Sequence, residues 1–206
     1  MKRNPTDNIE KPKLPKSLPR FLTKDEMKNI LSTIDWISWR TNFERNRNKA
    51  IIATFLFTGI RHQELLNLRN DDVDISGGNI FVKNGKGSKD RLIPIQNQLL
   101  PILKSYVQSK KAFKNPSVWF FHSSKSEKQL GQKDIRAMCK KISKSSKVYF
   151  TPHMLRHTFG RLSVENNINI FGIQQIMGHS DIKTTQRYLS VSLKALKDEY
   201  AKVEFL

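Results

Sequence analysis

Apolar residues recur mostly at helical spacing along this chain, and the few runs at strand spacing are short. Thr23-Lys24-Asp25-Glu26 has the form of a capping box. Met27, Ile30, Leu31 and Ile34 then fall on one helix face, which predicts a helix to about residue 34. Residues 47–58 are nearly all apolar, as in a helix at the centre of a core, and Gly59 ends it. A short helix restarts after Arg61, over 63–68. Residues 79–82 and 91–95 read as strands, and the Gly-containing segment between them as an exposed hairpin turn. Beyond them the pattern predicts a helix over 97–112, an apolar strand over 118–121 and a polar loop over 123–131. Further helices are predicted near 132–143, 153–166, 170–177, 181–189 and 192–203. The fold class expected is mainly α with a small antiparallel β-sheet, α+β, in one domain over 21–190.

Both ends differ from this core. Residues 1–20 are polar and basic and carry Pro5, Pro12, Pro15 and Pro19, so they read as a tail or interdomain linker. In the last segment, 191–206, Leu193, Leu196, Tyr200 and Val203 make one apolar face of a helix. We expect that helix to dock on a neighbouring protomer or on its own core. The pattern does not separate the two.

Charge narrows the partner. Among 206 residues, 37 Lys and Arg stand against 18 Asp and Glu, a net charge of +19. That surplus points to a polyanion. The absence of a long apolar span or signal peptide argues against a membrane. The single cysteine, Cys139, excludes an intramolecular disulfide and fits a small core residue, and the location expected is cytoplasmic.

Candidate chemistry is dispersed but ordered: TGIRHQEL at 58–65, KNGKGSKDRLIP at 83–94, HMLRHT at 153–158 and GHSDIKTTQRY at 178–188. Arg61 follows a glycine break. Arg156 lies three residues after His153, so the two share a helix face. Arginines suit a phosphate because each donates a two-pronged hydrogen bond and keeps its charge. Lys86 sits between Gly85 and Gly87, free to swing into a minor groove or onto a leaving oxygen. His153 and His179 can exchange protons with a phosphate or a phenol. Tyr188 is a nucleophile only if cations lower the barrier, since a free phenol has a pKa of about 10. Each residue alone also fits a plainer role: Arg61 paired to Glu64, Lys86 on a solvated tip, the histidines in turns, Tyr188 in a core. His153 and His157 have the spacing of a helical metal pair, but the remaining positions of known metal motifs are missing.

Taken together these motifs resemble the tyrosine recombinase (phage integrase) family, over roughly residues 18–190, its catalytic domain. The resemblance implies that Arg61 and Arg156 bind the scissile phosphate. It implies that Lys86 protonates the leaving 5′-oxygen, His153 helps activate the tyrosine, His179 supports the phosphate, and Tyr188 is the nucleophile. Glu64 matches an acidic position that we read as structural support. The implied reaction is DNA strand cleavage and rejoining through a 3′-phosphotyrosyl bond, with no cofactor, metal or ATP. The implied partner is double-stranded DNA, bound by a homotetramer on two sites, with room for accessory DNA-bending or directionality proteins. Most members carry an N-terminal helical domain, so the chain is expected to be either a catalytic fragment or a short member. Three other readings stay open: a type IB topoisomerase-like activity, a silent DNA-binding accessory, and a basic RNA-binding module.

Overall fold

A computed structural model describes residues 20–83, 90–111, 117–126 and 128–178. The mainly helical fold with a small antiparallel sheet is as expected, and the core is organised around one helix. Helix α1 (Lys24–Trp36) starts at the anticipated box: the Thr23 hydroxyl accepts from the Glu26 amide at 3.1 Å, and Glu26 accepts from the Thr23 amide at 2.9 Å. Such a cap contributes about 1 kcal/mol. Helix α2 (Asn42–Thr58) begins well before the predicted residue 47, because Thr41 caps it through the Glu44 amide. Its early polar residues conceal this start, although Phe43 already faces the core.

From Ala50 to Leu56, α2 is buried on every side, packed against α4 (Leu100–Lys110) and α6 (Pro152–Glu165). Phe55 is fully buried, and its truncation to Ala would cost about 3–5 kcal/mol. Gly59 ends α2 at φ +59°, and a Cβ there would run into the Phe159 ring. A glycine is therefore required where the chain turns toward Arg61 and helix α3 (His62–Leu66).

Strands β1 (Val73–Asp74), β2 (Asn79–Val82) and β3 (Arg91–Pro94) pair antiparallel in that order, with Val82 opposite Arg91. β1 was not anticipated; two residues are too few to show an alternation. The predicted strand over 118–121 is a correction. It makes only a bridge, Trp119 to Arg69, with Phe120 N–H donating to the Leu68 carbonyl at 2.8 Å. Phe120 and Phe121 are adjacent and both buried, Phe121 stacked on Tyr106 and Phe120 edge-on to it, so aromatic packing overrides the strand pattern.

Helix α5 (Gln132–Ser146) buries Ile135, Met138, Cys139 and Ile142 and leaves its lysines outside. Cys139 is a core residue as expected, and burial pushes its thiol up to about 12. One buried cation was not foreseen. Arg47 on α2 donates to the His122 carbonyl at 3.0 Å and to Asn48 Oδ1 at 3.0 and 3.1 Å. Burial lowers its pKa, against the opposing charge of Glu44. Helix α7 (Ile170–Met177) is the last described. The predicted helices over 181–189 and 192–203, and residues 1–19 of the predicted tail, lie outside the described residues. Among the described residues no helix is long and apolar enough to cross a membrane.

Candidate active site

The site is built where α3, α6, β3 and the end of α7 converge. Arg61 is the N-cap residue of α3, held in extended backbone just after the Gly59 turn. Its amide donates to Glu64 Oε2 at 2.9 Å and its Nη1 to Glu64 Oε1 at 2.9 Å, while Nη2 donates to the Gly178 carbonyl. Arg156, on α6, is buried. Its Nη1 donates to the Gly59 carbonyl and its Nη2 to the Met177 carbonyl at 2.9 Å. A third arginine, Arg91 on β3, donates from Nε to the Ile176 carbonyl at 2.7 Å. Three consecutive carbonyls at the end of α7 are thus held by arginines from three different elements.

Glu64 ties two of these cations together. Arg91 grips both of its oxygens, at 3.0 and 2.6 Å, with both side chains buried. Burial pushes the Glu64 carboxyl up. The hydrogen bond and charge of Arg91, and then the bonds from Arg61, outweigh that and hold it at about 2. Gly178, at φ +66°, leaves the space this packing needs: a Cβ there would lie 2.7 Å from Arg91 Nη1 and 3.1 Å from Arg61 Nη1.

Arg61, His153 and Arg156 all line one open cleft of about 1220 Å³. Its far wall is the basic face of α5 and the turn after it: Arg136, Lys140, Lys144 and Lys147. No Asp or Glu is among its described lining residues. Such a cleft favours an anion of extended shape. His153 sits in the first turn of α6, after the Thr151 cap and Pro152. Its Nε2 is 2.8 Å from His157 Nε2, one turn on. Among the described residues no three His, Cys, Asp or Glu side chains gather where they could hold a metal ion.

The structure therefore brings Arg61, Arg156 and His153 together. Lys86, His179 and Tyr188 lie outside the described residues. The sequence did not reveal Arg91, which reads as one more basic residue beside the hairpin; its partner Glu64 already has Arg61 at i−3, so nothing local points to a second cation. It also missed His62 at the cleft wall, whose Nε2 is buried with no hydrogen-bond partner among the described residues. Burial, and then the nearby charge of Arg136, lower the His62 pKa and so favour the neutral imidazole.

Comparison with known proteins agrees with this geometry. The model of the phage integrase family matches residues 20–194. The chain belongs to the phage integrase family. As a tyrosine recombinase it falls in a class defined by site-specific DNA recombination through a tyrosine. This recombinase is 32% identical over 200 residues to the tyrosine recombinase XerA of Thermococcus kodakarensis, across 97% of this chain and 68% of that protein. It is 34% identical over 201 residues to XerA of Pyrococcus horikoshii, across 97% of this chain and 67% of the other. The crystal structure of XerA recombinase superposes with a TM-score of 0.77 at 30% identity, covering 93% of this chain and 68% of that one. The XerH site-specific recombinase, in a post-cleavage complex with its palindromic difH substrate, gives a TM-score of 0.74 at 25% identity, over 90% of this chain and 53% of that chain.

Proposed function

We propose that this recombinase binds double-stranded DNA along the α5 cleft and that Arg61 and Arg156 hold the scissile phosphate there. The observation that carries the reading is the meeting of these two arginines at one helix end, in a cleft without acidic lining among the described residues. A pentacoordinate phosphorus gathers negative charge on its non-bridging oxygens, and two fixed guanidiniums stabilise that charge more than they stabilise the ground state. Tyr188 supplies the nucleophile. Its oxygen bonds to phosphorus as the bond to the 5′-oxygen breaks, giving a 3′-phosphotyrosine. The phenol proton passes to His153, and Lys86 protonates the departing 5′-oxygen. His179 supports a phosphate oxygen. The 5′-hydroxyl of a partner strand then reverses the step, so the phosphodiester energy is conserved without ATP.

Assembly belongs to the same reading. Two duplexes are exchanged by a homotetramer, in which the helix over 191–206 seats its apolar face on a neighbouring protomer. A groove of about 610 Å³ between α1, α2 and α6 offers Met27, Leu31, Leu56, Phe57, Phe159 and Leu162 to it. Removing residues 191–206 should abolish association on DNA; unchanged association would sink the exchange.

Covalent trapping tests the chemistry. Nicked duplexes drawn from the DNA flanking the gene should give a protein–DNA adduct on a denaturing gel with the wild type and none with Tyr188→Phe. DNA binding without an adduct, on any fragment and from a form with any preceding domain supplied, would reduce the protein to a binding module.

A further inference from the structure

Arg91 has no part in the chemistry just described, yet its guanidinium bonds both Glu64 and the Ile176 carbonyl beside it. It enters the site as the first residue of β3, paired to Val82 across the hairpin that carries Lys86 between its strands. Its guanidinium is buried and makes the two-pronged contact to Glu64, the acid that holds Arg61 by both amide and side chain. Its Nε reaches the Ile176 carbonyl, two residues before Gly178 and three before His179. One side chain therefore links the base of the hairpin, the phosphate arginine and the helix end that leads into the remaining motif. A lysine could not do this: it has no fork to match a carboxylate while also reaching a carbonyl.

We propose that Arg91 is a positioning residue for strand cleavage, acting through Glu64 on Arg61 and through the Ile176 carbonyl on the end of α7. The inference rests on the reading of Arg61 as a phosphate ligand. Arg91 need not touch the DNA itself. Its effect is on where the guanidinium of Arg61 stands when charge develops on phosphorus, and small displacements there are costly in rate.

The test is single-turnover cleavage of a nicked duplex at saturating DNA, alongside DNA affinity and thermal unfolding. Arg91→Lys should keep DNA affinity within about twofold while cleavage slows by about tenfold or more. Glu64→Gln, nearly identical in shape, should slow cleavage to a similar degree, and the double variant should be no slower than the worse single one. Arg91→Met should add an acid limb to the pH–rate profile. Glu64 is faced by Arg61 from its own helix and by Arg91 from β3, and without Arg91 burial pushes its carboxyl upward. Protonation then releases Arg61 as pH falls, and Glu64→Gln in the same background should remove the limb.

Wild-type cleavage rates in Arg91→Lys or Glu64→Gln would overturn the proposal, as would a loss confined to DNA affinity, or full additivity of the pair. If Arg91→Met does not fold, the two conservative variants still decide. An Arg61→Ala protein that cleaves at the full rate would sink the phosphate reading instead.

Discussion

His153 and His157 face each other across one turn of α6 with their Nε2 atoms 2.8 Å apart. At that distance one nitrogen carries a proton and the other accepts it, since two lone pairs or two protons would repel. The contact holds the ring of His153 in place and couples its tautomer to that of His157. Replacing His157 with Leu should slow adduct formation by about tenfold with DNA affinity unchanged, and Gln, which restores a donor and an acceptor, should recover part of the loss. Equal rates in all three proteins would show that the contact has no catalytic consequence.

The Glu64 carboxyl makes stability depend on acid. Its pKa falls from 4.5 to about 2 on folding, so the folded state holds this proton less tightly than the unfolded chain. The contribution is complete above pH 4.5 and is lost as pH falls toward 2, roughly 3 kcal/mol in all. Urea unfolding from pH 6 to pH 2.5 should show this loss in the wild type and a smaller one in Glu64→Gln.

Two glycines separate backbone strain from crowding. Gly78 and Gly178 both have positive φ, +69° and +66°. A Cβ on Gly78 meets nothing within 4 Å, whereas on Gly178 it meets Arg91 and Arg61. Gly78→Ala should therefore lose only the conformational cost, about 1–2 kcal/mol, and cleave normally. Gly178→Ala should lose more stability and also slow cleavage, by displacing both guanidiniums.

Arg47 predicts a loss of stability without a loss of chemistry. It is buried and does not line the cleft, bonded to His122 and Asn48 and 3.7 Å from Glu44. Arg47→Ala should cost about 3 kcal/mol in denaturant unfolding, since it leaves a void and removes the donors to the His122 carbonyl and to Asn48. Arg47→Met, which refills the space, should cost less. The folded fraction of either variant should cleave at the wild-type rate.

The α5 face should report itself through salt. If Lys140 and Lys144 each neutralise a DNA phosphate, replacing either with Ala should lower the slope of log K against log salt by about 0.9. An unchanged slope would place the duplex elsewhere.

What the sequence made legible was what depends on local pattern: the Thr23 cap, the apolar centre of α2, the Gly59 stop, and β2 and β3. Helix spacing also put Arg156 beside His153, and both line the cleft. What escaped depends on distant partners. The run at 118–121 has strand composition, but among the described residues it pairs only with Leu68 to Asn70. Arg91 could not be distinguished from its basic neighbours, because its meaning lies in Glu64 and Ile176, which come from elsewhere in the chain. Arg47 opens the apolar run over 47–58, where no local pattern marks it as the cation that holds the loop after Phe121.

The cluster of arginines at the end of α7 also has an electrostatic consequence. A helix C-terminus presents the negative end of its dipole, equivalent to about half an electron charge, and here that end lies against the two arginines proposed to hold the phosphate. Left bare, it would repel the substrate. In the proposed reading the guanidiniums of Arg61 and Arg156 therefore do two things: each quenches a carbonyl at the end of α7, and each presents positive charge to DNA. A planar group with five N–H donors can do both at once, whereas an ammonium has a single charged point to share between them. Lysine at either position should keep the net charge of the site and still lose its attraction for the phosphate, because the helix would claim it first.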